Sequence, residues 1–194
     1  MLQHVKTSIV LVLAMAVLCG LLFPAVITGA AQLLFPGQAH GSLISQNGKV
    51  IGSELIGQSF TDPGYFHPRP SAAGRGYDAT ASGGTNLGPT SAKLYHDLQD
   101  LAASYRRENG LPSDAPLPAD AVTRSASGLD PDISPANAAL QASRVARARG
   151  LGEEQVRGLV AANTQGRAWG FLGEPRVNVL LLNLALDREI PPHG

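Results

Sequence analysis

The chain has 194 residues, fifteen basic and fifteen acidic, and is formally neutral at pH 7. That balance argues against nucleic acid or another polyanion as partner. Its single cysteine, Cys19, allows no intramolecular disulfide, so any soluble domain must stand on packing alone.

No Lys, Arg, Asp or Glu occurs between Lys6 and Lys49, and Ile9–Ile27 reads IVLVLAMAVLCGLLFPAVI. As a helix this run is about 28 Å long, close to the hydrocarbon thickness of a bilayer. A single transmembrane helix is therefore expected over about residues 8–28, within an N-terminal segment 1–36. One such helix cannot form a pore, so the chain is an anchored domain, an accessory subunit, or a secreted protein before processing. Leu18 ahead of Cys19 argues against lipidation there. Thr28-Gly29-Ala30 places small residues at −3 and −1 of a signal-peptidase site. The alternative is thus a secreted enzyme or binding protein released after Ala30. An uncleaved helix is favoured, because the run Ser8–Ile27 exceeds the roughly 7–15 residues of a cleaved apolar region. Pro24 falls near the exit end, where a kink costs least. Lys6 and the amino terminus, against a charge-free far flank, orient the N-terminus to the cytoplasm and residues 37–194 outside as a soluble extracytoplasmic domain.

That domain is expected to be α+β, with a short N-terminal hairpin and about four helices. Ser42–Gln46 and Lys49–Ser53 flank Asn47-Gly48, the pattern of two strands joined by a type I′ turn close to the bilayer surface. Asp62–Pro89 is rich in Pro and Gly without periodicity, yet carries Tyr65, Phe66 and Tyr77; it reads as an ordered, irregular surface. Leu94, Leu98, Leu101 and Tyr105 then mark a helix over Thr90–Asn109, capped by Thr90 or Ser91 and ended by Asn109-Gly110. A Pro-rich crossover, Leu111–Pro118, follows. Ser134-Pro135 opens a second helix, to Arg149 with Gly150 as its stop. A third covers Glu153–Asn163. A fourth spans Glu174–Arg188, and its run VLLLNLAL is too short to cross a bilayer, so it should be a buried central element.

No catalytic constellation is present: no phosphate loop with its lysine, no nucleophile elbow, no H-E-x-x-H. Gly83–Gly88 precedes a helix but lacks a following lysine, and reads as a structural turn. Ser125–Asp132 holds two carboxylates without enough further oxygen ligands for calcium, and reads as a turn capping the Ser134 helix. His67 has no neighbouring Cys or second His and reads as a surface or packing residue rather than a metal ligand. Arg69, held extended between Pro68 and Pro70, suits either recognition or an internal salt bridge.

Six strings stand in order behind the apolar helix: GSELIGQSF (Gly52–Phe60), YFHPRPSAA (Tyr65–Ala73), SGGTNLGPTS (Ser82–Ser91), SASGLDPDISP (Ser125–Pro135), RVARARGL (Arg144–Leu151) and FLGEPRVNVLLLNLALD (Phe171–Asp187). Together they closely resemble the C subunit of the bacterial Kdp-type potassium-transporting P-type ATPase, over nearly the whole chain. The resemblance implies a non-catalytic accessory subunit in the bacterial inner membrane, with the helix retained as tether. Its implied partners are the catalytic P-type ATPase subunit, the potassium-translocating subunit and a small membrane peptide. It implies a catalytic chaperone that raises the ATP affinity of the pump subunit. No intrinsic cofactor is expected; ATP would be met through the pump subunit. The candidate partner contacts are Gln58, Phe60, Tyr65, Phe66, Arg69, Pro70, Asn86 and Arg144.

Overall fold

The computed structural model describes residues 1–189, and the last five residues of the expected domain lie outside them. Main-chain contacts divide the chain into two compact units, one of Met1–Ser53 and one from Glu54 onward. The hairpin therefore belongs with the apolar helix, not with the rest of residues 37–189.

In the first unit, α1 (Leu2–Val17) continues through a five-residue π turn, Leu18–Leu22, into α2 (Phe23–Leu34). The combined 33-residue helix is long and apolar enough to cross a membrane. It overruns the expected 8–28 at both ends. The π turn lies just ahead of Pro24, and Phe23 N–H donates five residues back to Leu18 O. Proline lacks an N–H and its ring crowds the carbonyl four residues earlier, so one wider turn relieves both defects without ending the helix. After a short α3 (Pro36–Ala39), strands β1 (Leu43–Gln46) and β2 (Lys49–Ser53) form the hairpin. Asn47 and Gly48 have φ of 52° and 77°, as a type I′ turn requires. Gln46 pairs with Lys49 and Leu43 with Ser53; a bulge between Ile44 and Ser45 leaves Ile51 as the extra residue.

The second unit opens on a long irregular stretch up to α4 (Ala92–Asn109), whose start Ser91 caps by accepting Leu94 N–H. Gly110, at φ 66°, ends it in the left-handed conformation. The predicted stripe Leu94, Leu98, Leu101 and Tyr105 is half-buried. The crossover then leads to a one-turn helix the periodicity does not reveal, α5 (Ala119–Val122). Strand β3 (Asp132–Ile133) precedes α6 (Pro135–Arg149), where Ser134 accepts Asn137 N–H and Gly150 is the left-handed stop. The helix α7 (Glu153–Ala162) and strand β4 (Thr164–Gln165) follow.

The expected fourth helix starts later than its pattern indicates, because its first residues are taken by a strand. Arg176–Asn178 form β5, the centre of an antiparallel sheet of order β3-β5-β4, and α8 begins only at Val179. Pro175 disfavours helix at the residue before it, and two ladders claim the backbone after it. Asn178 accepts Leu181 N–H at 3.1 Å, so it caps α8. The core gathers Phe66, Ile133, Val145, Val156, Val177, Leu182 and Leu186. Ala138, Ala142 and Ala146 of α6 are small enough to let neighbouring elements approach closely. VLLLNLAL is, as expected, the buried centre of the domain.

Candidate functional site

The irregular stretch has no ladder of its own to satisfy its peptide groups, so other side chains must do so. Arg144 of α6, only 5% exposed, donates from Nη1 to the carbonyls of Pro63 at 2.6 Å and Tyr65 at 2.9 Å. Arg149 Nε donates to Gly64 O at 2.7 Å. Asn183 of α8 donates to Phe66 O at 3.0 Å, and Gln141 of α6 to His67 O at 2.9 Å. Five consecutive carbonyls, Pro63 through His67, are thus each held by a helix side chain. Gln141 Oε1 also accepts His67 N–H at 2.7 Å and Arg144 Nη2 at 2.8 Å. Arg144 Nε reaches Asn109 Oδ1 at 3.0 Å. An otherwise flexible segment is held as one fixed relief.

Side chains along the relief are also tied inward. Tyr65 donates its hydroxyl to Asp187 at 3.0 Å, lies 4.6 Å beneath the Arg149 guanidinium, and sits 5.7 Å from the Phe60 ring. Burial first, then the Asp187 hydrogen bond, raises its pKa. His67 Nδ1 meets Glu108 Oε1, and Nε2 lies 2.9 Å from Asp62 O. The hydrogen bond from His67 holds the Glu108 carboxyl below the usual range, against the opposing effect of burial. Burial also lowers the pKa of Arg144, against the pull of Glu108.

Arg69 resolves its two sequence readings in favour of the internal salt bridge: Nη1 is 2.7 Å from Asp130 Oδ2, and the same guanidinium reaches Thr123. The Tyr77 hydroxyl donates to Arg69 O, and burial pushes that phenol well above its ordinary pKa. A cavity of about 230 Å³ separates this part of the relief from α4, lined by Phe60, His67, Arg69, Pro70, Tyr105 and Glu108.

The structure therefore brings Phe60, Tyr65, Arg69 and Pro70 together on one irregular surface, with Gln58 half-buried beside them. Phe66, at 0% exposure, and Arg144 lie inside and shape that surface from beneath. Asn86 stands apart, exposed and at φ 49°, in an irregular stretch tied to a distant one where Gly83 N–H donates to Ser127 O at 2.8 Å. The Gly-rich loop is irregular rather than a closed turn, and the start of α4 is capped by Ser91. The Ser125–Asp132 turn does not cap α6 through its carboxylates. Asp120 of α5 does that work, accepting Ser134 N–H and Oγ–H, each at 2.8 Å. Among the described residues no three His, Cys, Asp or Glu cluster as a metal site.

Gln141, Asn183, Asn109 and Arg149 escape the sequence reading as determinants of this surface. One signal was available: a lone Asn within VLLLNLAL, and a Gln and an Arg on the apolar stripe of α6, are polar groups that burial obliges to find partners.

The family described as K+-transporting ATPase, c chain, matches residues 5–188. The chain is 55% identical over 190 residues to the Potassium-transporting ATPase KdpC subunit of Koribacter versatilis, covering 97% of this chain and 96% of that one. It is 61% identical over 178 residues to the subunit of the same name from Myxococcus xanthus, covering 91% and 83% respectively. With that of Caulobacter vibrioides it shares 56% identity over 193 residues, covering 99% and 96%. The release of a secreted enzyme after Ala30 is accordingly not favoured. The chain belongs to the c-chain family of K+-transporting ATPases, and is an accessory rather than catalytic subunit.

Proposed function

We propose that this subunit is a single-pass component of the bacterial inner membrane, N-terminus inside and domain outside, that assembles with or stabilises the catalytic and translocating subunits during potassium import. The observation that carries the reading is the run of five clamped carbonyls from Pro63 to His67. A surface already rigid before docking loses little entropy on binding, which favours a lasting subunit contact. Its exposed side, with Phe60, Tyr65, Pro70 and the outlying Asn86, is the contact region. Phe66 and Arg144 support it from within, and Arg69 braces the surface through Asp130. An effect on ATP affinity runs through contact with the pump subunit. The inward engagement of Arg69 and Arg144 favours that route over a phosphate site in this domain, and the domain carries no cofactor of its own.

Co-purification of the other subunits with tagged chain tests the reading. Asn86→Gly keeps the left-handed backbone while removing the side chain, and is expected to weaken recovery without changing thermal stability. Unchanged recovery would move the contact away from Asn86. Orientation has a separate test at exposed Ser113. Ser113→Cys should react with a membrane-impermeant thiol reagent in intact spheroplasts; labelling only after permeabilisation would place the domain in the cytoplasm.

A further inference from the structure

His67 has its peptide fixed and its ring left to titrate. Gln141 accepts the His67 N–H at 2.7 Å and donates to its carbonyl at 2.9 Å, so the backbone stays in place whatever the side chain does. The imidazole reaches from the Pro63–His67 relief to α4. Its Nδ1 meets Glu108 Oε1, and its Nε2 lies 2.9 Å from Asp62 O. A backbone carbonyl has no hydrogen to give, and neither has an ionised carboxylate. Both ring nitrogens must therefore donate, which only the imidazolium can do. A neutral ring would satisfy the same geometry only if Glu108 were the acid. Arg144 Nε, 3.7 Å from the same Oε1, favours the carboxylate, and the Glu108 carboxyl is held below the usual range.

The other charged and titratable groups about the ring come from the irregular stretch and from α4, α5 and α6. Asp62 accepts Gly64 N–H at 2.7 Å, and Arg69 is paired with Asp130. Tyr105 of α4 donates to Asn137 Oδ1, Asp120 of α5 accepts from Ser134, and Arg144 of α6 holds the Pro63 carbonyl. Carboxylates, guanidiniums and phenols ordinarily keep their charge between about pH 5 and 8, whereas imidazole does not. Loss of the His67 proton leaves a nitrogen lone pair facing the Glu108 carboxylate, and that contact must open. His67 and Glu108 both line the cavity of about 230 Å³ between the relief and α4. Opening their contact unties α4 from the relief at that cavity.

We propose that His67 is a proton-dependent clasp: its imidazolium ties α4 to the Pro63–His67 relief, and loss of the proton loosens the relief and weakens its docking to the other subunits. This rests on the reading of the relief as the docking surface. Closing the clasp takes up a proton. Its contribution is therefore present at mildly acid pH, while Glu108 is still ionised, and is lost as the pH rises through the histidine range.

The test uses the full chain in nanodiscs and the assembled complex. With isotope-labelled histidine, the His67 ring signals are those missing from His67→Gln. Both ring nitrogens of the wild type should carry protons at about pH 6. In Glu108→Gln the proton affinity of the ring should fall about threefold or more, because the opposite charge is gone. An unchanged His67 titration in that variant would overturn the clasp. Recovery of the wild-type chain with the complex, through a tag on the catalytic subunit, should fall about threefold from about pH 6 to pH 8. Glu108→Gln, at a partly exposed position, keeps the fold, and its recovery should be the same at both pH values. Wild-type recovery indifferent to pH, or an equal pH dependence in Glu108→Gln and His67→Gln, would overturn the proposal. Asn86→Gly separates this failure from that of the docking surface. If it lowers recovery while the wild type ignores pH, only the clasp falls; if it too leaves recovery unchanged, the docking reading falls with it.

Discussion

Asn183 grips the Phe66 peptide from both sides: its Oδ1 accepts Phe66 N–H at 2.8 Å and its Nδ2 donates to Phe66 O at 3.0 Å. Both residues are buried. Asn183→Ala orphans one buried donor and one buried acceptor, at ~1–3 kcal/mol each, so a loss of roughly 2–6 kcal/mol is expected in chemical denaturation. Asn183→Asp should cost more than the loss of one hydrogen bond, because a carboxylate oxygen would face the Phe66 carbonyl.

Arg144 fans four donor contacts onto Pro63, Tyr65, Asn109 and Gln141. A lysine carries its donors on a single nitrogen and cannot span that spread. Arg144→Lys should therefore destabilise the domain by roughly 2–4 kcal/mol despite keeping the charge. Limited proteolysis should cut first within the loosened segment around Pro63–His67. A variant with wild-type stability would refute the assignment of Arg144 as the clamp.

Gly128 marks where three stretches of backbone meet. A Cβ there would lie 2.6 Å from Ala73 N and 2.7 Å from Gly83 O, and the residue sits at φ 69°. Neither neighbour is a flexible side-chain end, so the contact cannot be relieved cheaply. Gly128→Ala is expected to cost roughly 3 kcal/mol or more, read as a lowered thermal midpoint. Gly158→Ala, with open space around its Cβ in a helix interior, is the control and should leave the midpoint unchanged or raise it.

The Glu108–His67 contact sets a pH dependence. The folded carboxyl titrates below its unfolded value, so its contribution is fully present above about pH 4.3 and fades as the pH falls through the folded pKa. Glu108 is 40% exposed, so solvent screening keeps the effect below ~1 kcal/mol. Asp132 works the other way: burial raises its pKa, and protonation on acidification adds stability. Glu108→Gln should flatten the acid limb of a stability–pH curve, whereas Asp132→Asn should steepen it.

The local features of this chain are written in its sequence because each rests on neighbouring residues. The apolar run, the Asn47-Gly48 turn, the Ser134-Pro135 start and the Gly110 and Gly150 stops all follow from backbone chemistry within a few positions. Family membership is equally legible, since six ordered strings carry it. What tertiary structure alone decides is pairing across distance. The three short strands of β3-β5-β4 exist because separate segments complete one another's ladders, and Arg176–Asn178 surrenders its helical pattern to them. Likewise, nothing near Arg69 in sequence announces Asp130, and nothing near Phe66 announces Asn183. A buried polar side chain advertises that it needs a partner, but its identity depends on which distant backbone the fold brings within 3 Å.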